Sequence, residues 1–526
     1  MIFDRTFHPD EANQAFTVGR LLETGQYTYT PTDHHGPTLY YAAAPLQKIA
    51  GHSTTQTLDG TLLRATPLVF AILGLVLGFL AVRRVTRSVG AALAFVLLLG
   101  TAPFFVFFAT DFIQEMLLSC FLIGMFFSAV GYLRPDGKLK PGSWALLFGI
   151  FAGLAFATKE TAVISFAAAA LAGAPFLVTR ILRHRDAPPP KPGVESPPVV
   201  YAHPVTDVVF ALIAFALTSV TLYSSLGTDW TGVYHAFITA PLAYLGRAAG
   251  DAAASVGANW HVHPFNQYFK WLFAYPPFTE IDLVIVGFVG TPLCLGLLRL
   301  ARKRADAKRA HFVRFKPEKP RPSEFPSLAP WGFAVLYSLI LLAVYSLIPY
   351  KTPWCALRFL PGFVLAAVFG LHAIFVRMGA GVLPRLIVAA VVGCIVAFRL
   401  PALQKMNDDP DSKDIPCNYA NASPEVKELA RVVSEAMKAP CADPLVAVAL
   451  PPEDTWPFPW YNRDLAHRTG YWTSFEDLEK LQQTGIKPSV VVVPMNQGHL
   501  VQPLFPHLKN TRRFFMRNKV RVRVFW

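Results

Sequence analysis

A succession of apolar runs, each long enough to cross or nearly cross a bilayer, constrains this chain more than any other feature. The runs fall near residues 66–82, 91–108, 113–133, 144–158, 161–179, 205–222, 281–299, 331–348, 355–376 and 383–400. About ten spans follow. A helix satisfies its own backbone in lipid, so the expected fold class is an α-helical polytopic membrane protein. Composition agrees: 53% of residues are hydrophobic and only 16% charged, too few charges to clothe a soluble chain of 526 residues.

The net charge of +14 needs its own account, and its distribution supplies one. Links after the first, third, fifth, seventh and ninth runs carry Arg83, Arg84 and Arg87; Arg134, Lys138 and Lys140; Arg180, Arg183, Arg185 and Lys191; a basic stretch from Arg299 to Arg321; and Arg377 with Arg385. The alternate links hold chiefly Lys159, Arg247, Lys270 and Lys351. Charge gathered in alternate short links is a topology signal rather than a nucleic-acid footprint, and the positive-inside rule puts the basic links in the cytoplasm. Three regions result: a first extracytoplasmic loop over 1–65, a membrane domain over 66–400 with a long outer loop at 223–280, and an extracytoplasmic region over 401–526. The least secure link is Thr158-Lys159-Glu160, which alone divides 144–158 from 161–179; one continuous helix there would reverse every later loop. A helical hairpin keeps the basic 300–321 link inside, and it sets Lys159 and Glu160 at the outer interface. There they either face a cavity or form a plain ion pair at a turn.

Beyond residue 400 the composition becomes that of a soluble domain. Strand-like runs at 445–450, 489–493 and 519–526 alternate with helical patterns at 423–437 and 474–483, which predicts a small C-terminal α/β domain on the outer face. Cys120, Cys294, Cys355 and Cys394 lie in spans and read as small apolar residues. Cys417 and Cys441 flank the first of these helices outside the membrane, where an oxidising compartment favours a disulfide between them. The proline-rich 181–204 link reads as extended cytoplasmic chain.

Chemistry-bearing residues collect on the predicted outer side. Asp10 and Glu11 follow His8-Pro9, and His34-His35-Gly36-Pro37 comes soon after. The acids either serve chemistry or are solvated charges opening a helix, with Pro9 in its first turn. Asp111 and Glu115 are four apart and, on one helix, would look into the same space. His261 and His263 precede Pro264 in the long loop and are candidates for a metal or phosphate contact, or simply surface histidines. Lys159, Lys351 and Arg358 are cations suited to a phosphate. No Gly-rich phosphate loop, CxxC pair or GxSxG elbow is present.

The order of these features resembles the glycosyltransferase-C superfamily. It has an acidic pair in the first outer loop, a His-Gly-Pro followed by Tyr40-Tyr41, a carboxylate opening a later helix, and a His-x-His-Pro-aromatic stretch in a long outer loop. Within that superfamily it is similar to the glycosyltransferase family 39 group, which includes protein O-mannosyltransferases and lipid A aminoarabinose transferases. Ala157-Thr158-Lys159-Glu160-Thr161, Tyr350-Lys351-Thr352-Pro353-Trp354 and Trp456-Pro457-Phe458-Pro459-Trp460-Tyr461-Asn462-Arg463-Asp464 look like the branch labelled flippase-associated membrane proteins. The resemblance implies inverting transfer of a sugar from a polyprenyl-phosphate donor to a hydroxyl of a lipid, glycan or protein, on the outer face of the cell membrane. Asp10 is then the base, with Glu11 beside it, and Glu115 or else Asp111 is the second carboxylate. Lys159, Lys351 and Arg358 hold phosphate. A divalent metal would lie between His34 or His35 and His261, with His263 adjacent. The family often has an arginine where Asp111 stands. It also usually has a transmembrane helix ahead of the acidic pair, so about twenty apolar residues are expected upstream of Met1. The other readings are a transporter of lipid-linked sugars, which predicts broken helices with polar residues at mid-membrane, and a non-catalytic scaffold, which predicts an exposed Asp10 and scattered cations. The enzyme reading predicts Asp10, Glu115 and His261 buried and close together.

Overall fold

The computed structural model describes residues 2–31, 35–134, 139–185, 204–243, 261–312, 327–379, 381–438, 444–517 and 520–526. Among these, nine helices are long and apolar enough to cross a membrane: Gly60–Thr86, Glu115–Leu133, Pro141–Thr158, Ala162–Thr179, Pro204–Tyr223, Ile281–Ala305, Ala329–Leu347, Pro353–Met378 and Val382–Asp408. The expected span at 91–108 is not one of them. It breaks into Val89–Gly100 and Pro103–Phe108. Pro103 has no N–H to continue the helix and forces the residue before it out of the helical region, and Ala102 accordingly sits at ψ 122°.

The disputed link resolves as a hairpin, because one helix ends at Thr158 and the next begins at Ala162. Pro141–Thr158 packs on Pro204–Tyr223 through glycines. A Cβ on Gly149 would lie 2.1 Å from the Ala211 carbonyl oxygen, and one on Gly153 would lie 2.7 Å from Thr218. In lipid, where apolar surface gains nothing by leaving the solvent, close backbone approach of this kind is what holds helices together.

The loops sort to two ends. At the basic end Arg84 Nε donates to the Arg134 carbonyl at 2.9 Å, and Arg302 donates to the carbonyl of Arg377. At the other end Thr6 N donates to Asp411 at 2.9 Å, Tyr27 N to Ser225 Oγ at 2.9 Å, and His263 N to the Pro349 carbonyl at 3.1 Å. That second end carries two further helices of the first segment, α1 (Pro9–Thr24) and α2 (Thr38–Ile49).

The C-terminal sheet has five strands, β1 (Val446–Ala449), β2 (Thr469–Trp472), β3 (Val490–Pro494), β4 (Thr511–Arg517) and β5 (Val520–Phe525), in the order β2-β1-β3-β5-β4. Strands β2, β1 and β3 are parallel, and β5 joins β3 and β4 antiparallel. Val446, Val448, Val490 and Val492 share one core with helix Glu425–Ala436, while Ala447, Ala449, Val491 and Val493 share another with helix Phe475–Gln483. A strand buried on both faces reads as a continuous apolar run, as β1 and β3 do. The domain meets the first segment through aromatic rings: Phe7 stacks on Trp460 at 4.7 Å and Phe16 meets Trp456 edge-on at 5.5 Å. Cys417 is a free thiol buried against the membrane-domain core rather than half of a bridge, and Cys441 lies outside the described residues.

Candidate active site

Helix α1 begins with a capping box that separates the two acids. His8 is the N-cap: its Nδ1 accepts from Asp10 N at 3.0 Å, and Glu11 Oε2 accepts from His8 N at 3.0 Å. Pro9 takes the first helical position, where its missing N–H costs nothing. Glu11 then points inward and is fully buried. Arg64 donates to it from Nε at 2.8 Å and from Nη2 at 2.6 Å, and Phe112 N donates at 2.9 Å. Burial alone would raise the Glu11 carboxyl, but the charge and hydrogen bonds of Arg64, with Arg5 behind, outweigh it and hold it at about 2. Asp111 does not share a helix face with Glu115. It precedes that helix and pairs with Arg5 Nη2 at 3.0 Å, and burial together with the neighbouring Glu11 charge pushes its carboxyl well up. The acid that stays open is Asp10, whose side chain is 50% exposed.

Around Asp10 lies a cluster of imidazoles and aromatic rings. His8 Nδ1 is 3.8 Å from Asp10 Oδ2, and its Nε2 donates to the Tyr419 carbonyl at 3.2 Å, the tautomer required by an Nδ1 that accepts from backbone. The Tyr419 hydroxyl lies 3.1 Å from His261 Nδ1 and 2.8 Å from His263 Nε2. Burial above all, with the Arg517 charge and the penalty of gathering further protons beside His8 and His263, lowers His261 to about 4 against the opposing pull of Asp10, so its ring is neutral at pH 7. Lys351 N donates to the His261 carbonyl at 2.8 Å, which ties the next motif to this loop. The Lys351 ammonium is buried on neutral oxygens, the carbonyls of Ile348 and His263, with no ion pair among the described residues. A buried cation compensated only by carbonyls is a place that an anion would complete.

A second polar group lies under the His-Gly-Pro motif. Lys159 Nζ donates to Glu115 Oε1 at 2.6 Å, and Arg358 Nη2 is 3.8 Å from the same oxygen. Glu160 accepts from Tyr29 at 2.7 Å and Tyr223 at 2.9 Å, and His35 Nδ1 is 3.4 Å away. Burial and the Lys159 charge lower His35 despite Glu160. The two motifs meet because Gly36 lies against the backbone of Ala157, where a Cβ would come within 2.1 Å of the carbonyl oxygen. Here the cations are already balanced by carboxylates.

The structure therefore brings Lys159, Arg358 and Glu115 into one group and Asp10, His261, His263 and Lys351 into another. His34 lies outside the described residues. The expected burial of Asp10 is not met, and an exposed Asp10 is what the scaffold reading predicts, whereas the convergence of Lys159 and Arg358 on Glu115 is not the scatter it predicts. Among the described residues no three His, Cys, Asp or Glu side chains gather to hold a metal ion, and His35 belongs to the Glu160 group rather than to that of His261. Arg5, Arg64 and Tyr419 escaped the sequence reading. A lone arginine at the lip of an apolar run was a usable signal for Arg64; nothing local marks Tyr419.

A multi-span helical domain with its polar groups at one end, capped by a small sheet domain, has a GT-C, ArnT-like fold. Residues 34–187 match the family described as Dolichyl-phosphate-mannose-protein mannosyltransferase, a stretch that takes in His35, Asp111, Glu115 and Lys159. The fold is similar to ArnT from Cupriavidus metallidurans bound to undecaprenyl phosphate, with a TM-score of 0.58 at 14% identity over 99% of this chain and 94% of that one. The apo form of the same protein gives a TM-score of 0.57, also at 14% identity over 99% and 94% of the two chains. A more distant likeness is to the archaeal oligosaccharyltransferase AglB from Archaeoglobus fulgidus, with a TM-score of 0.45 at 13% identity over 94% of this chain and 66% of that one. Among curated proteins none matches the sequence.

Proposed function

We propose that this protein is a membrane glycosyltransferase that moves a sugar from a polyprenyl-phosphate donor to an acceptor hydroxyl, with inversion, on the extracytoplasmic face of the cell membrane. One observation carries the reading: at the end of the molecule away from the basic links, an open carboxylate, Asp10, and a buried ammonium with no counter-ion among the described residues, Lys351, belong to segments joined by the same His261–Tyr419 cluster. The ArnT relative bound to undecaprenyl phosphate supports the choice of donor. In this reaction Asp10 takes the proton of the acceptor hydroxyl as its oxygen attacks the anomeric carbon. The bond from that carbon to the phosphate oxygen breaks, and the lipid phosphate leaves with the electron pair beside Lys351. A base that serves an acceptor arriving from water has to be reachable, which reconciles the exposure of Asp10 with catalysis. The separate group of Lys159 and Arg358 on Glu115 is a second place where a phosphate could compete for held cations.

The test is turnover with a panel of undecaprenyl-phosphate-linked hexoses. Asp10→Asn keeps the shape of the side chain but removes the proton acceptor, so transfer falls by roughly 100-fold or more while donor binding survives. Lys351→Ala does the reverse and weakens donor binding first. Normal turnover by Asp10→Asn would remove the central claim.

A further inference from the structure

The C-terminal domain carries a cleft whose position in the sheet is not accidental. The chain after β1 runs to β2 on one side, and the chain after β3 runs to β4 and β5 on the other. Loops that part in opposite directions from adjacent parallel strands open a crevice at the strands' carboxyl ends, which is where open α/β sheets bind ligands. A cleft of about 260 Å³ lies there, lined by Leu450 and Asp454 after β1, Pro494, Met495 and Asn496 at and after the end of β3, and Arg521 at the start of β5. Register explains why β5 joins it: β5 is antiparallel to β3, with Val522 opposite Pro494, so its first residues lie at the same end.

The lining has the chemistry of sugar recognition rather than of an anion or an apolar ligand. Asp454 supplies carboxylate acceptors, Arg521 a planar set of donors, and Asn496 both kinds, while Met495 gives apolar surface for the C–H face of a ring. Asn496 is exposed and makes no hydrogen bond among the described residues, so its amide is free for a ligand. The Asp454 carboxylate works against a phosphate or carboxylate guest. Arg517 Nη2 donates to Asp454 Oδ1 at 2.9 Å, which fixes the carboxylate at the rim, and the charge of Arg517 reaches His261 in the membrane domain. Just past Asp454 the same loop lays Trp456 and Trp460 on Phe16 and Phe7, the residues that flank Asp10 along the chain. The cleft is thus tied at its rim to the helix that carries the base.

We infer that this cleft at the β1/β3 crevice is a saccharide subsite that holds the acceptor glycan, with Asp454, Asn496 and Arg521 as its hydrogen-bonding residues. The assignment of the saccharide as acceptor rests on the glycosyl-transfer reading; the binding of a saccharide here does not. Full-length protein in lipid nanodiscs, titrated with the methyl glycosides of glucose, galactose, mannose and N-acetylglucosamine and with inorganic phosphate, tests it by saturation-transfer NMR. At least one glycoside binds wild type and Asp10→Asn alike, and Asn496→Ala, a surface change that leaves the melting temperature unaltered, weakens it about tenfold. Arg521→Ala weakens it in the same direction. The inference is overturned if no glycoside binds, if binding is indifferent to both substitutions and so belongs elsewhere, or if phosphate alone binds in a manner sensitive to Arg521→Ala. Loss of transfer in Asp10→Asn is read on a different variant in a different assay, so the two claims fail separately.

Discussion

Asp10 and Glu11 are adjacent, chemically near-identical and placed by the structure in opposite surroundings. The helix N-terminus turns successive residues by about 100°, so one acid faces the opening while the other meets Arg64 inside the protein. Removing Glu11 strands a buried guanidinium. Glu11→Ala should therefore cost about 3–5 kcal/mol, whereas Asp10→Ala should cost about 1 kcal/mol or less. Thermal melts of the purified variants in one detergent compare them directly, and equal midpoints would show that the Arg64 pair contributes nothing. From residue types alone both readings of the Asp-Glu pair, chemistry and helix opening, were legible; the structure shows the pair opening a helix and leaving one member exposed. Which acid does which could not be read, because it depends on Arg64 and Phe112, far along the chain. The expected sharing of space by Asp111 and Glu115 failed for a similar reason. Spacing predicts a common face only inside a helix, and the helix starts at Glu115.

Most elements were legible because lipid imposes a simple rule on them. A long apolar run has to become a helix, and the nine spanning helices among the described residues lie on nine of the ten expected runs; the break at Thr158-Lys159-Glu160 followed from charge alone. The run at 91–108 was misjudged as a single span because hydropathy is blind to Pro103 and its effect on Ala102. In the sheet, β1 and β3 announce themselves as unbroken valine and alanine stretches. Strands β2 and β4 do not: β2 contains Gly470, and β4 carries Arg512, Arg513 and Arg517 on an edge, where charge blunts pairing with another chain. Helix contact by glycine was not read at all, since the partner face is unknown from sequence. It predicts that Gly149→Val, forced against the Ala211 carbonyl, lowers the stability of the membrane domain by about 1–3 kcal/mol. Gly393→Ala, where a Cβ meets nothing within 4 Å, is the matched control and should be silent. Equal melting of the two variants would mean that the helices part without cost.

Over the whole molecule, the alternation of basic and non-basic links became a physical division into two ends. The positive-inside rule then makes a prediction about sidedness. In a cysteine-free background, Ser53→Cys and Gln482→Cys should react with a membrane-impermeant maleimide on intact cells, and Arg83→Cys only after permeabilisation. Any exchange between these groups would invert the topology and move the proposed chemistry to the cytoplasm. The docking of the sheet domain onto the first segment has a different consequence, one of time. The Tyr461 hydroxyl accepts from Phe7 N across a separation of 454 residues, and Trp456 and Trp460 are equally remote from the rings they cover. At ordinary rates of elongation the ribosome needs on the order of tens of seconds to make the intervening chain. For that interval the segment bearing Asp10 waits at the membrane surface with its aromatic side chains uncovered, and a chaperone or a neighbouring lipid has the first opportunity to hold it.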